Sequence, residues 1–108
     1  MKKKHISILI TNYNKSIFIK KCLKSCVAQN YPSKEILVFD DKSCDNSISI
    51  IKKFKSVKLF INKKKKFNSG PLNQIYGIRQ LIKKSKGDII FLLDGDDFFK
   101  KNKLNKLS

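Results

Sequence analysis

The sequence predicts an α/β fold, a doubly wound parallel sheet in the order β-α-β-α-β-α-β. Two observations carry that prediction. Short apolar runs within residues 6–10, 36–39, 57–61 and 89–93 alternate with three amphipathic stretches. Runs of this length suit strands buried on both faces, as in parallel sheets covered by helices. The acids also gather where apolar runs end: five of eight are Asp40, Asp41, Asp94, Asp96 and Asp97. Ligands of such sheets bind outside the carboxyl ends of the strands, so these scarce carboxylates stand where a site is expected.

The elements follow in order. Residues 5–12 form the first strand, closed by turn-prone Thr11-Asn12-Tyr13-Asn14. Ser16 is placed to cap a helix over 16–29 whose stripe Ile19, Cys22, Leu23, Cys26 and Val27 has amphipathic spacing. Pro32 stops it. Residues 35–39 make the second strand, ending in Asp40-Asp41. Asp45 is placed to cap a helix over 47–54 that buries Ile48, Ile51 and Phe54. A short strand at 57–61 and an exposed lysine-rich connection lead to a helix over 72–84, with Ile75, Ile78, Leu81 and Ile82 inward. Gly87 serves as its left-handed terminator. The fourth strand, within 87–93, is expected to be buried on both faces, and the lysine- and asparagine-rich tail begins a further helix. Thr11 to Tyr13, Asp40-Asp41 and Asp94 to Asp97 thereby meet at one sheet edge.

Composition narrows the reading. A chain of 108 residues is one domain, and 41% hydrophobic content fits a globular one. No apolar stretch approaches the ~18 residues of a spanning helix. Met1-Lys2-Lys3-Lys4 has the charge of a signal sequence, but the apolar segment behind it is too short, so a cytoplasmic location is expected. The three cysteines lack C-x-x-C spacing; buried free thiols are favoured over a zinc site recruiting His5. The net charge of +17 is almost all lysine, with Arg79 the single arginine. Base and phosphate recognition lean on arginine's planar fork, which argues for a solvated lysine surface and against specific nucleic-acid binding. Peripheral contact with anionic membrane at the cytoplasmic face stays open.

The chemistry centres on Asp94-Gly95-Asp96-Asp97. Three carboxylates in four positions repel unless a cation sits among them. Mg²⁺ or Mn²⁺ suits such oxygen ligands and leaves positions for phosphate oxygens; the plain alternative is an acidic turn closing a strand. The patterns G-x-G-x-x-G and G-x-x-x-x-G-K-[ST] are absent. The calcium-loop offsets fail, and a phospho-acceptor domain would need its paired Asp after the first strand.

Five strings occur in register: Ser7-Ile8-Leu9-Ile10-Thr11-Asn12-Tyr13-Asn14; Gln29-Asn30-Tyr31-Pro32; Glu35 through Ser43 with Asp45; Asn68-Ser69-Gly70; and Gly87-Asp88-Ile89 through Asp97. In that order and spacing the chain resembles the donor-binding half of family 2 glycosyltransferases, the Rossmann-like GT-A fold. The resemblance implies a nucleotide site of Thr11, Asn12, Tyr13, Asp40, Asp41, Asp94 and Gly95. Tyr13 would lie against the base, Asp41 would contact uracil and Asp40 would shape the loop; Tyr13 as a plain turn residue is the rival. It also implies that Asp94, Asp96 and Asp97 hold the Mn²⁺ or Mg²⁺ that bridges the diphosphate. The donor would be a nucleotide-diphosphate sugar, with UDP-sugar expected, used for inverting transfer in cell-surface polysaccharide synthesis. Two departures stand out. Where many members carry an Arg-Asn pair after Asn-x-Gly, this chain has Gln74 or Asn73 in its place and Arg79 further on, and the sequence ends at Ser108. The acceptor half and the general base are therefore expected beyond Ser108, with no catalytic residue inside the chain. The rival functions are a nucleotide-binding pseudoenzyme and a basic module for nucleic acid or membrane.

Overall fold

One inner strand, β1 (Ile6–Asn12), is the hub of a four-stranded, all-parallel sheet. The computed structural model describes residues 4–101, 103 and 104. After β1 come α1 (Ser16–Val27), β2 (Lys34–Asp40), α2 (Ser47–Lys52), β3 (Val57–Ile61), α3 (Gly70–Lys84) and β4 (Ile89–Asp94). The chain steps outward from β1 through β2 to β3, then returns through α3 to place β4 on the other side of β1. That reversal of direction opens a crevice at the carboxyl end of β1 and β4.

The strand pleat divides the core. Ile6, Ile8 and Ile10 pack with Ile36, Val38 and α1's Ile19, Cys22, Leu23 and Cys26, while Leu9, Leu37 and Phe39 pack with Leu81 and Tyr76 of α3. Register then fixes the last rungs. Thr11 pairs with Phe39 and with Asp94, whereas Asn12 pairs with Asp40. Side chains paired across parallel strands share a face, so Thr11, Phe39 and Asp94 line up under α3 and Asn12 and Asp40 point to the opposite face.

Several expected details come out differently. Ser16 is the first residue of α1 and does not cap it: its backbone N–H donates to Asp45 Oδ2 at 3.0 Å. The helix stops at Val27, which is exposed, and Gln29 beyond it is buried and bound to Lys100 O and the Leu104 N–H. α2 ends at Lys52, two residues before Phe54, and Ile48 is only half-buried. α3 starts at Gly70, capped by Ser69 Oγ, and its buried residues are Asn73, Gly77 and Leu81; Ile75 and Ile82 face outward. Gly87 is not left-handed, since no glycine has positive φ. Its need for a bare backbone is steric: a Cβ there would lie 2.6 Å from Ser7 N and would strike Ser7 Oγ. β4 is an edge strand, and Ile90 and Leu92 are exposed on one of its faces. The helix expected in the tail falls largely outside the described residues.

The amino end of the sheet is tied by Glu35. Its carboxylate accepts from Ser7 Oγ (2.6 Å), the Lys86 N–H (2.6 Å) and Lys58 Nζ (3.1 Å). Burial pushes its pKa up, but the bonds from Ser7, Lys86 and Lys58 outweigh it and hold the group below its ordinary 4.5. A depressed folded pKa means the stabilisation is present above 4.5 and lost as pH falls through the folded value. Denaturant titrations from pH 6 downward are therefore expected to show stability falling below 4.5. In Glu35→Gln that fall should become shallower, by at most ~1.4 kcal/mol per pH unit for one proton. An unchanged slope in the variant would remove Glu35 from the acid response.

Candidate functional site

A cavity of about 420 Å³ opens at the carboxyl edge of the sheet, beneath the β3–α3 connection. Thr11, Phe39 and Asp94 line it from the sheet face covered by α3, and Tyr13, Asp41 and Gln74 complete the wall. The three separate segments that the sequence placed at one edge thus meet around a single space, and α3 adds a fourth wall.

Asp40 and Asp41, adjacent in sequence, do different things. Asp40 has no exposed surface; Oδ1 accepts from Asn12 Nδ2 (2.8 Å) and Ser43 Oγ (2.6 Å), and Oδ2 from the Ser43 N–H (2.8 Å). Its role at the site is to hold the loop. Asp41 lines the cavity, with its N–H on Asn12 O (2.9 Å) and Oδ1 accepting from Asn62 Nδ2 (2.9 Å). Asn62 escaped sequence reading, since nothing local marks it. It arrives because β3 runs beside β2, where its N–H donates to Asp40 O at 2.8 Å. The loop beyond is anchored by Asp45, whose Oδ1 and Oδ2 accept from the Ser47 and Ser16 N–H groups at 2.9 and 3.0 Å. Burial pushes Asp45 up, but those bonds prevail and keep it below its ordinary 3.8.

The acidic turn after β4 spreads its carboxylates. Asp94 Oδ2 accepts from Gln74 Nε2 at 3.4 Å, Asp96 Oδ2 meets Lys15 Nζ at 3.4 Å, and Asp97 Oδ2 accepts the Asp94 N–H at 3.2 Å. Asp94 lines the cavity. Gly95 is buried against Asn12, where a Cβ would lie 2.7 Å from Asn12 Oδ1, and its N–H donates to Thr11 O at 2.8 Å. Among the described residues no three His, Cys, Asp or Glu side chains converge into a ready cation site. The donor set still suits Mg²⁺ or Mn²⁺, which is held by one or two carboxylates together with phosphate oxygens and water. The bonds that engage Asp94 and Asp96 are long ones, so both can turn to a cation.

α3 contributes by two neighbouring amides. Asn73 is buried and bonds Phe67 at both ends, accepting from its N–H (2.8 Å) and donating to its carbonyl (2.9 Å). Gln74 reaches into the cavity, donating to Thr11 Oγ1 at 3.2 Å. Arg79, one turn beyond, does not line it. Lys15, Lys65 and Phe67 do line it and were not anticipated. Tyr13 is 43% exposed, and Lys65 Nζ stands 3.2 Å from the centroid of its ring. The cysteines are free. A hydrogen bond with Cys26, reinforced by burial, pushes the Cys22 thiol well above the ordinary thiol range. His5, at the other end of the sheet, has Nδ1 3.0 Å from Ser33 Oγ and joins no zinc set among the described residues.

Residues 7–108 match the family model described as Glycosyl transferase family 2. The chain belongs to that family. It is 34% identical over 110 residues to the Methanococcus voltae dolichyl N-acetyl-alpha-D-glucosaminyl phosphate 3-beta-D-2,3-diacetamido-2,3-dideoxy-beta-D-glucuronosyltransferase, covering 90% of the chain and 32% of that protein. It is 37% identical over 103 residues to the poly(ribitol-phosphate) beta-glucosyltransferase of Bacillus spizizenii, covering 86% of the chain and 15% of the relative. Among solved structures, S. aureus TarS 1-349 in complex with UDP-GlcNAc matches with a TM-score of 0.81 at 23% identity, over 95% of this chain and 30% of that one. Mannosyltransferase PcManGT from Pyrobaculum calidifontis, in complex with GDP-Man and Mn²⁺, matches with a TM-score of 0.79 at 16% identity, over 94% and 30%. These two likenesses establish the GT-A fold. The family 2 chain spans between 32% and 40% of the first three curated relatives. Among its described residues no helix is long and apolar enough to cross a membrane.

Proposed function

We propose that this family 2 domain binds the donor of an inverting glycosyltransferase, a UDP-sugar held with Mn²⁺ or Mg²⁺. The observation that carries the proposal is the meeting of Tyr13, Asp41 and Asp94, from three separate segments, around one cavity of about 420 Å³. A ring face there stacks a base, and a carboxylate accepts from the uracil imide N–H. Asp94 and Asp96 would hold the cation, which supplies charge neutralisation for the departing diphosphate. Asp97 stands by as the third carboxylate of the turn. The complexes of TarS with UDP-GlcNAc and of PcManGT with GDP-Man and Mn²⁺ support a nucleotide-sugar donor and a divalent ion. Asp41 also suits the N–H edge of guanine, so GDP belongs in the test. The acceptor hydroxyl would attack the anomeric carbon in line, its proton taken by a base in the part of the enzyme this chain does not span. The free, buried Cys22 and Cys26 suit a reducing compartment, which supports a cytoplasmic site of action.

Calorimetry with UDP, GDP and inorganic diphosphate tests this. UDP is expected to bind with Mn²⁺ and to lose at least about tenfold in affinity in EDTA, equivalent to ~1.4 kcal/mol. Asp96→Asn should remove the dependence on the ion. Tyr13→Ala should weaken UDP by about 1 kcal/mol and Asp41→Ala by about 1.5–3 kcal/mol. Equal UDP affinity in EDTA and in Mn²⁺ would sink the metal assignment, and wild-type affinity in both site variants would move the base elsewhere. A purely basic, polyanion-binding module would instead lose affinity steeply with salt and prefer no nucleoside.

A further inference from the structure

We propose that Lys65 serves the donor pocket in two positions: it covers the ring of Tyr13, and it moves to the diphosphate when a nucleobase takes that ring. The inference rests on the reading of the cavity as a nucleotide site. Lys65 and Tyr13 line the same cavity, and the ammonium lies 3.2 Å from the ring centroid, a cation–π contact. A base stacking on that ring from within the cavity must displace the ammonium. The backbone nearby is held, because Asn73 clamps both the N–H and the carbonyl of Phe67 two residues on. The flexible four-carbon stem of an exposed lysine can therefore swing while the loop stays in place.

Charge gives the second position. One divalent ion shared between Asp94 and Asp96 is cancelled by those two carboxylates, which leaves the diphosphate uncompensated. α3 presents the neutral Gln74 to the cavity, and Arg79 is not among the lining residues. The cationic side chains that line the cavity are Lys15 and Lys65. Lys15 stands 3.4 Å from Asp96 and is released when a cation takes that carboxylate. Lys65 has no carboxylate partner among the described ion pairs. Displaced from Tyr13, its ammonium finds in the diphosphate the strongest uncompensated charge in reach.

Titrations of the full chain with uridine, followed by NMR, and with UDP and Mn²⁺, followed by calorimetry, separate the two positions. Lys65→Ala is expected to tighten uridine about two- to fivefold, because nothing then competes for the ring. The same variant is expected to weaken UDP about tenfold, and Lys65→Arg should restore UDP affinity. Unchanged or weaker uridine binding in Lys65→Ala overturns the competition for Tyr13. UDP that is unchanged, or tightens as uridine does, overturns the move to the diphosphate. A wild-type chain binding neither ligand overturns the nucleotide reading and this inference together, a result distinct from the others because it appears before any substitution.

Discussion

Replacing Asp40 with alanine is expected to destabilise the fold by about 3 kcal/mol and to abolish measurable UDP binding, although Asp40 touches no part of the cavity. The side chain is fully buried and takes three hydrogen bonds, from Asn12 Nδ2, Ser43 Oγ and the Ser43 N–H. Removing it strands those donors, and each buried unsatisfied group costs about 1–3 kcal/mol. The damage also spreads along the chain. Ser43 Oγ accepts the Asn14 N–H at 2.9 Å, and Asn14 Oδ1 accepts the Cys44 N–H at 2.8 Å, so the loops after β1 and β2 are sewn together through Asp40's partner. Tyr13 lies between Asn12 and Asn14, and Asp41 follows Asp40 directly. Both of the residues proposed to contact the base should lose their positions at once. Denaturant unfolding gives the stability loss. UDP calorimetry, run where the variant is still folded, gives the second effect. Asp40→Asn keeps two acceptor sites on one oxygen and is expected to fall between the two. An alanine variant as stable as wild type, or one that binds UDP normally, would show the loops to be set by something else.

What was legible in the sequence is what short-range pattern determines. The strands were readable because each is a short, mostly apolar run, and α1's buried stripe because Ile19, Cys22, Leu23 and Cys26 repeat at helical spacing. The convergence of Thr11, Tyr13, Asp41 and Asp94 was also readable, because parallel strands put all their carboxyl ends on one edge. The orientation of α3 was not. Its apolar residues offer more than one stripe, and the choice is made by distant partners: Asn73 on Phe67, and Tyr76 against the Phe39 ring at 6.0 Å. Nor could a run such as 89–93 reveal that β4 has a neighbour on one side only, since strand order is a tertiary property. The capping of α1 by Asp45 spans 29 residues, and the bond between Asn62 and Asp41 spans 21. Neither has a local sign. That Asp40 is buried against the loop while Asp41 lines the cavity follows from pleat and register.

The 108-residue chain by itself is expected to transfer no sugar to an acceptor even where it binds donor. A general base must stand within roughly 2.6–3.2 Å of the proton it takes, or one water away. Each of the eight acids is committed or remote. Glu35 is tied to Ser7, Lys86 and Lys58 at the amino end of the sheet, and Asp88 accepts the His5 N–H at 3.0 Å at that same end. Asp45 spans the N-termini of α1 and α2, and Asp40 is sealed in its loop. Asp41 serves the base in the proposed function, Asp94 and Asp96 serve the cation, and Asp97 accepts the Asp94 N–H. His5, bonded to Ser33 Oγ, lies a sheet's length from the cavity. Radiolabelled transfer from UDP-sugars to a panel of hydroxyl acceptors, run with Mn²⁺ and against a Mn²⁺-only control, should stay at background. Donor hydrolysis above background would leave the expectation standing, because water needs less positioning than a sugar hydroxyl. Glycoside formation by the purified chain would instead mean that one of these carboxylates leaves its present partner to act as the base. Asp97→Asn would then be the first variant to make, as Asp97 belongs to the turn proposed to hold the ion and the diphosphate and is not itself needed for the base.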